Sequence, residues 1–249
     1  MSAQPVLWQY TFSNYNEKVR WTLDHRRIPH ERRNILPGSP RALWFSARGT
    51  LPLLDLDGER IMDSTRIIES LEKRFDDNPI YPSDPEERAR ALDVEDFFDE
   101  NVGHDVRRVA FWDTRDADGY LPNFIATGFG SAGHAFTRAT SRVAWAYASR
   151  RYTFSEEDAE RSRERIVAGL DRIESERAGR EHLVGDGFTI ADLTAASLLY
   201  PLAWPDELQY SPPQPPRWEF RASLADHPAV SWIRDTYRRY RGTSAEVSS

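Results

Sequence analysis

Leu51-Pro52-Leu53-Leu54-Asp55-Leu56-Asp57-Gly58-Glu59-Arg60-Ile61-Met62-Asp63-Ser64-Thr65-Arg66-Ile67-Ile68 reads as one continuous run of supersecondary structure. Leu51 to Leu56 is an apolar run with proline near its start, where a missing N–H is tolerated. Asp57-Gly58 accepts positive φ at both positions and signals a two-residue hairpin. Ile61-Met62 is the return strand. Ser64 then opens a helix with Ile67, Ile68, Leu71 and Phe75 on one face. Upstream, Val6 to Tyr10 forms a short strand-like run. Ser13 falls at a helix N-cap or pre-helix loop, and Val19, Thr22 and Leu23 mark a helix over residues 17–26. His30 to Leu36 has weak β character, and Pro37, Gly38 and Pro40 punctuate a loop. The order is strand, helix, strand, hairpin, helix, which assigns residues 1–78 to an α/β unit.

Pro79, Pro82 and Pro85 make residues 79–85 an interdomain linker. Residues 86–242 read as an all-α domain. Glu86 to Phe111 is expected as one long helix, with Leu92, Val94, Phe97, Phe98, Val102, Val106 and Val109 as its apolar positions. Residues 113–138 read as a glycine-rich loop, with 119–133 a possible lid. Further helices are expected over 139–150, 156–176 and 189–202, with a last one around Val230, Ile233, Tyr237 and Tyr240. Residues 243–249 are expected to fray as a flexible tail. Charge divides at the same boundary: residues 1–78 carry 12 Lys+Arg against 11 Asp+Glu, and the remainder 21 against 29.

With 249 residues, 39% hydrophobic and 29% charged, the chain is long enough for one large domain or two smaller ones, each with a real core. No apolar run is long enough to span a bilayer and the N-terminus lacks the pattern of a secretory signal, so the expected location is cytoplasmic, away from membranes. The absence of cysteine excludes disulfides, a thiolate nucleophile and a Cys-based zinc site. The six histidines have no close metal-ligand spacing, so no metal is expected. A net charge of −7 argues against nucleic-acid binding, and the scattered Arg pairs (26–27, 32–33, 107–108, 150–151, 238–239) read as solvated helix faces.

Three segments carry a resemblance. Phe12-Ser13-Asn14-Tyr15-Asn16-Glu17-Lys18-Val19-Arg20 is similar to the Ser/Cys-Pro-Tyr/Phe-x-x-Lys-Val-Arg stretch of the serine- and cysteine-type glutathione transferases. Gly49-Thr50-Leu51-Pro52-Leu53-Leu54 resembles the Val-Pro dipeptide of that superfamily, whose proline is cis. Asp63-Ser64-Thr65-Arg66-Ile67-Ile68 resembles its Glu/Asp-Ser-x-x-Ile. A fourth, Phe188-Thr189-Ile190-Ala191-Asp192-Leu193, looks like the buried capping motif of its C-terminal domain, which makes Asp192 structural.

The resemblance implies a thioredoxin-like N-terminal domain, an all-helical C-terminal domain and a homodimer. It places Ser13 on the catalytic position. A free thiol titrates near 8.5, and a hydroxyl donor together with a helix N-terminus favours its thiolate. Capping by Ser13 is the alternative, with Tyr10 and Tyr15 as competing hydroxyls. By the same resemblance, Leu51 and Pro52 meet the cysteinyl backbone of glutathione, Ser64 holds the γ-glutamyl carboxylate, and Asp63 holds its ammonium group. Capping of the following helix by Ser64 is compatible with that role.

Candidate walls for an apolar electrophile are Trp8, Tyr10, Phe12, Asn14, Tyr15, Phe97, Phe98, His104 and Trp112. Asn14 stands where proline is common, and Thr50 where Lys or Gln binds the glycyl carboxylate; Arg41 and Arg48 are the substitutes considered. These departures leave room for a related thiol. The expected function is therefore transfer of alkyl or aryl groups to glutathione, a detoxification chemistry. A thiol-dependent lyase or isomerase, or a non-catalytic binding or regulatory protein, is the alternative.

Overall fold

The computed structural model describes residues 4–39, 41, 50–151, 155–210, 212–215 and 218–247. Strand β1 (Val6–Gln9) pairs in parallel with β2 (Glu31–Asn34) and antiparallel with β3 (Leu53–Leu56), and β3 pairs antiparallel with β4 (Glu59–Met62). The sheet order is β2-β1-β3-β4. Asp57 and Gly58 both have positive φ, as the hairpin reading requires. Helices α1 (Asn14–His25) and α2 (Ser64–Arg74) pack on the sheet through Val19, Leu23, Ile67 and Leu71, which close a core with Leu7, Leu54, Leu56 and Ile61. This is a thioredoxin-like α/β unit, and all the helices that follow belong to the second unit.

That second unit comprises α3 (Pro85–Asn101), α4 (Gly103–Thr114), α5 (Tyr120–Ile125), α6 (Ser131–Arg151), α7 (Glu156–Arg177), α8 (Ile190–Ala203), α9 (Glu219–Ser223) and α10 (Pro228–Tyr240). Helix α8 is buried along its whole length. It is fixed by the capping box of Thr189 and Asp192, whose carboxylate also accepts the Leu183 N–H at 2.8 Å. Around it pack Phe98, Val102, Val106, Ile166, Leu170, Ile173, Val230 and Ile233.

The structure corrects several expectations. The long helix over 86–111 is two helices, broken at Val102 and Gly103. A Cβ on Gly103 would lie 2.7 Å from the Tyr15 hydroxyl and 3.0 Å from Leu198, so glycine is needed where α1 and α8 close on the break. The expected loop over 113–138 holds the end of α4, all of α5 and the first turns of α6. Gly119, Gly128 and Gly130 sit between helices, the first two at positive φ, and Gly133 lies in the first turn of α6. Within the linker, Ile80 and Tyr81 are buried in the helical core, and the Ile80 carbonyl accepts the Ile190 N–H.

The expected tail is tied down through residue 247. Ala245 accepts the His30 N–H, Val247 donates to the His30 carbonyl, and the Ala245 N–H donates to Asp24. Arg26 and Arg32, read as solvated, have buried side chains paired with Glu72 and Asp24.

Helix α1 is the element shared by both cores. Every residue from Asn14 to Asp24 is buried, because one face meets the sheet while Tyr15 and Trp21 enter the helical core. Its charges are paired. Lys18 meets Glu95 at 2.9 Å and Asp99 at 2.7 Å. Arg241 bonds Glu17 at 2.6 Å and Asp24 at 2.9 Å; against the opposing effect of burial, Arg241 with Arg20 holds the Glu17 carboxyl, and Arg241 with Arg32 the Asp24 carboxyl, below the usual range.

His30 completes this cluster. Its Nδ1 lies 2.8 Å from the Ile28 carbonyl, its Nε2 accepts from Arg32 at 3.0 Å, and burial lowers its pKa from 6.5 to about 4. The native state therefore holds a neutral ring whose pKa is depressed. Its contribution to stability is complete above pH 6.5 and is lost as pH falls toward 4. The urea midpoint is expected to decline over that window, and His30→Gln to flatten the decline. The Glu17 and Asp24 carboxylates produce a further loss at more acidic pH in both proteins. An equally steep decline in His30→Gln would contradict the assignment.

Candidate active site

The sequence segments singled out above converge on the first turn of α1. Ser13 is the N-cap residue, with extended backbone (φ −81°, ψ 131°). Its carbonyl accepts the Glu17 N–H at 2.9 Å, but its half-buried hydroxyl makes no capping bond. The capping reading of Ser13 thus gives way to backbone capping alone. Asn14 does the local tethering: its Oδ1 accepts the Tyr15 N–H, and its Nδ2 donates to the carbonyls of Gly103 (3.0 Å) and Leu198 (3.1 Å). The residue standing in the proline position therefore binds the helical domain to the start of α1.

Asn16 links the second segment. Its Oδ1 accepts the Tyr10 N–H, and its Nδ2 donates to the Leu51 carbonyl at 3.2 Å. The Leu51–Pro52 peptide bond is cis, as the resemblance implied. The third segment is reached through Lys18, whose ammonium bonds Thr65 Oγ1 at 3.2 Å. Here the cap of α2 is Asp63, exposed and at positive φ, with its carboxylate accepting the Arg66 N–H at 3.2 Å. Ser64 is the first helical residue and is buried. One helix therefore sets the relative positions of Ser13, Leu51–Pro52 and Asp63–Ser64.

Among the competing hydroxyls, Tyr15 is committed. It donates to the Asp99 carbonyl at 2.7 Å, and burial pushes its pKa far above that of an ordinary phenol. Tyr10 lies just past β1, half-buried, with its ring stacked on Phe12 at 5.8 Å. Phe12 in turn meets Phe111 at 6.3 Å and Phe124 at 5.5 Å. His104 lies against Tyr15 at 5.0 Å between ring centroids.

Phe97, Phe98 and Trp112 are directed elsewhere. Phe97 packs on Phe98 and beneath Arg172, Phe98 is fully buried in the core, and Trp112 donates to Glu156. Trp8 lies under the Arg41 guanidinium at 5.6 Å, whereas Arg48 and Gly49 fall outside the described residues. Sequence reasoning missed Phe111 and Phe124 as neighbours of Phe12. Phe111 was detectable in part, since it lies seven residues from His104 and so on the same helix face.

Farther out, an open cavity of about 350 Å³ is lined by Glu100, Asn101, His104, Asp105, Arg108 and Arg165. Its main charges satisfy one another, because Asp105 already bonds Arg165, Arg108 and Ser162. Among the described residues, no group of three or more His, Asp or Glu side chains is arranged to hold a metal ion, and no helix is long and apolar enough to cross a membrane.

Residues 7–79 match the glutathione S-transferase N-terminal domain, and residues 124–236 match the glutathione S-transferase C-terminal domain. The chain belongs to the glutathione transferase superfamily. Among its relatives, a maleylacetoacetate isomerase of Rhizobium meliloti is 32% identical over 95 residues, a match that covers 36% of this chain and 45% of the relative's length. A probable maleylacetoacetate isomerase of Caenorhabditis elegans is 25% identical over 94% of this chain and 89% of its own.

The β-etherase LigF of Sphingobium sp. strain SYK-6 superposes with a TM-score of 0.68 at 19% identity, covering 95% of this chain and 96% of that one. A glutathione S-transferase of Methylobacillus flagellatus KT, solved with glutathione bound, gives 0.64 at 18% identity, with 94% of each chain covered. The superfamily's fold is thus shared across nearly the whole chain.

Two substitutions separate the roles at the head of α1. Ser13→Ala is expected to change unfolding free energy by less than about 0.5 kcal/mol, because its hydroxyl caps nothing. Asn14→Ala is expected to cost about 1–3 kcal/mol by removing the buried amide that bonds the Gly103 and Leu198 carbonyls and ties α1 to the helical unit. Urea denaturation of both variants checks this. A larger loss in Ser13→Ala than in Asn14→Ala would reverse the assignment.

Proposed function

We propose that this protein is a serine-type, glutathione-dependent enzyme in which Ser13 stabilises the thiolate of bound glutathione for attack on an electrophilic carbon. The observation that carries this reading is the Ser13 hydroxyl: it sits at the N-terminus of a buried helix and is not used as a cap. A hydroxyl donor and the positive end of α1 both favour a negatively charged sulfur over a neutral one. The cis Leu51–Pro52 edge would receive the cysteinyl backbone, and the head of α2, with Ser64 and Asp63, the γ-glutamyl group. The chain has no cysteine, so the sulfur that attacks must be glutathione's own.

The protein would contribute thiolate stabilisation and positioning. Conjugation displaces a leaving group from carbon and retains the new C–S bond. Isomerisation adds the thiolate to a double bond and expels it again after rotation. The names of the two isomerase relatives and of the β-etherase neighbour favour carrying an isomerase or ether-cleaving reaction as the second reading. A cytoplasmic homodimer remains part of this proposal.

Isothermal titration with glutathione should give saturable binding in both wild type and Ser13→Ala. The variant should lose about 10²-fold in conjugation of an aryl halide. The ultraviolet signal of bound thiolate should also appear at higher pH in the variant than in wild type. No binding at millimolar glutathione would remove the thiol assignment. Binding with no turnover in wild type, across aryl halides, activated double bonds and aryl ethers, would leave a glutathione-binding protein without chemistry.

A further inference from the structure

Two cations meet at the C-terminal end of α8. Arg221 in α9 donates its Nε–H to the Leu202 carbonyl at 3.1 Å, and Arg234 in α10 donates its Nε–H to the Ala203 carbonyl at 3.0 Å. The two accepting residues are consecutive in the last turn of α8, so both guanidiniums are anchored at one helix end. Both side chains are half-buried. Arginine commonly caps such terminal carbonyls. That role uses the Nε–H alone and leaves the paired Nη donors of each guanidinium for another partner.

No carboxylate meets those donors. Among the described residues, neither Arg221 nor Arg234 forms an ion pair, and the further contact of Arg221 is the Trp204 ring, 5.5 Å from its Cζ to the ring centroid. Burial and the Arg234 charge both lower the pKa of Arg221, and the Tyr120 phenol opposes them. The negative end of α8 offsets about half an elementary charge. Most of two positive charges is therefore left uncompensated in a half-buried setting. By contrast, the enclosed Arg26, Arg32, Arg163 and Arg241 each meet a carboxylate.

We propose that Arg221 and Arg234 together form a binding site for a tetrahedral dianion, either free phosphate or the phosphate group of a monoester. Each guanidinium is a planar fork that can take one edge of a phosphate in two-point geometry. A phosphate carries close to two negative charges at neutral pH, which matches the pair. A monoanion would balance one cation and leave the other uncompensated. An aromatic surface adjoins the site, since Trp204 meets Phe124 at 6.3 Å and Tyr120 stacks on Phe124 at 5.8 Å. This site uses none of the residues assigned to the thiol and is independent of that reading.

The test is isothermal titration at constant ionic strength with inorganic phosphate, phenyl phosphate and nitrate. Wild type is expected to bind phosphate about tenfold more tightly than nitrate. Arg221→Gln and Arg234→Gln should each weaken phosphate about tenfold, and the double variant should abolish binding. Arg234→Lys keeps a charge and a donor for the Ala203 carbonyl but loses the fork, and should retain part of the affinity. It also serves if a Gln variant fails to fold, which thermal melts without ligand reveal. Tighter binding of phenyl phosphate than of inorganic phosphate supports the site with a monoester as its ligand, and equal binding supports it with the free anion. Wild type that binds neither phosphate, or binds nitrate as well as phosphate, overturns the proposal. So does phosphate binding that survives in the folded double variant.

Discussion

Helix α1 is buried on every side, and the rest of the molecule is arranged to permit it. A twelve-residue helix with Glu17, Lys18, Arg20 and Asp24 on its surface is an unfavourable thing to take out of water. Lys18 meets Glu95 and Asp99 from α3, Glu17 and Asp24 meet Arg241 from the end of α10, Asp24 also meets Arg32 from β2, and Arg20 pairs with Glu17 within the helix. Buried pairs of this kind need not add net stability, but removing one partner strands the other in a low-dielectric interior. The network therefore fixes the register of the α/β unit against the helical unit. The same helix presents Ser13 at its head, so the hydroxyl proposed to stabilise the thiolate is held by both domains at once.

This constraint explains features that look unrelated when taken one at a time. Gly103 breaks what would otherwise be one long helix because Tyr15 needs that space. Asn14 and Asn16 spend their amides on Gly103, Leu198 and Leu51, three carbonyls that border the head of α1. Residues 244–247 lie beside His30 and Asp24, closing the far end of the same helix. A site built at the first turn of so rigid an element can hold a thiol donor in place without further ordering when ligand arrives.

Much of this was legible in the sequence, through local chemistry. Asp57-Gly58 and the apolar run before it located the hairpin. The Thr189/Asp192 box announced the start of α8. The three short segments of the site were recognisable only as a set, in order. What could not be read was burial decided by partners far along the chain. Arg26 and Arg32 looked solvated because nothing local shows that Glu72 and Asp24 receive them. Residues 243–247 looked loose because their partner is the edge of β2, more than two hundred residues away. The glycines of 113–138 read as a loop because single-sequence periodicity does not separate a helix boundary from a loop interior. Phe111 escaped notice for the complementary reason: it is unremarkable in sequence and meets Phe12 only once α4 is laid across the head of α1.

The most direct measurement is a crystal structure of the protein with glutathione bound, reading which hydroxyl lies nearest the sulfur. The Ser13 Oγ is expected within hydrogen-bonding distance of it, with the γ-glutamyl group at the head of α2 and Tyr15 still bonded to the Asp99 carbonyl. A sulfur held instead by Tyr10 or Tyr15, or glutathione seated away from the first turn of α1, would contradict the role given to this helix.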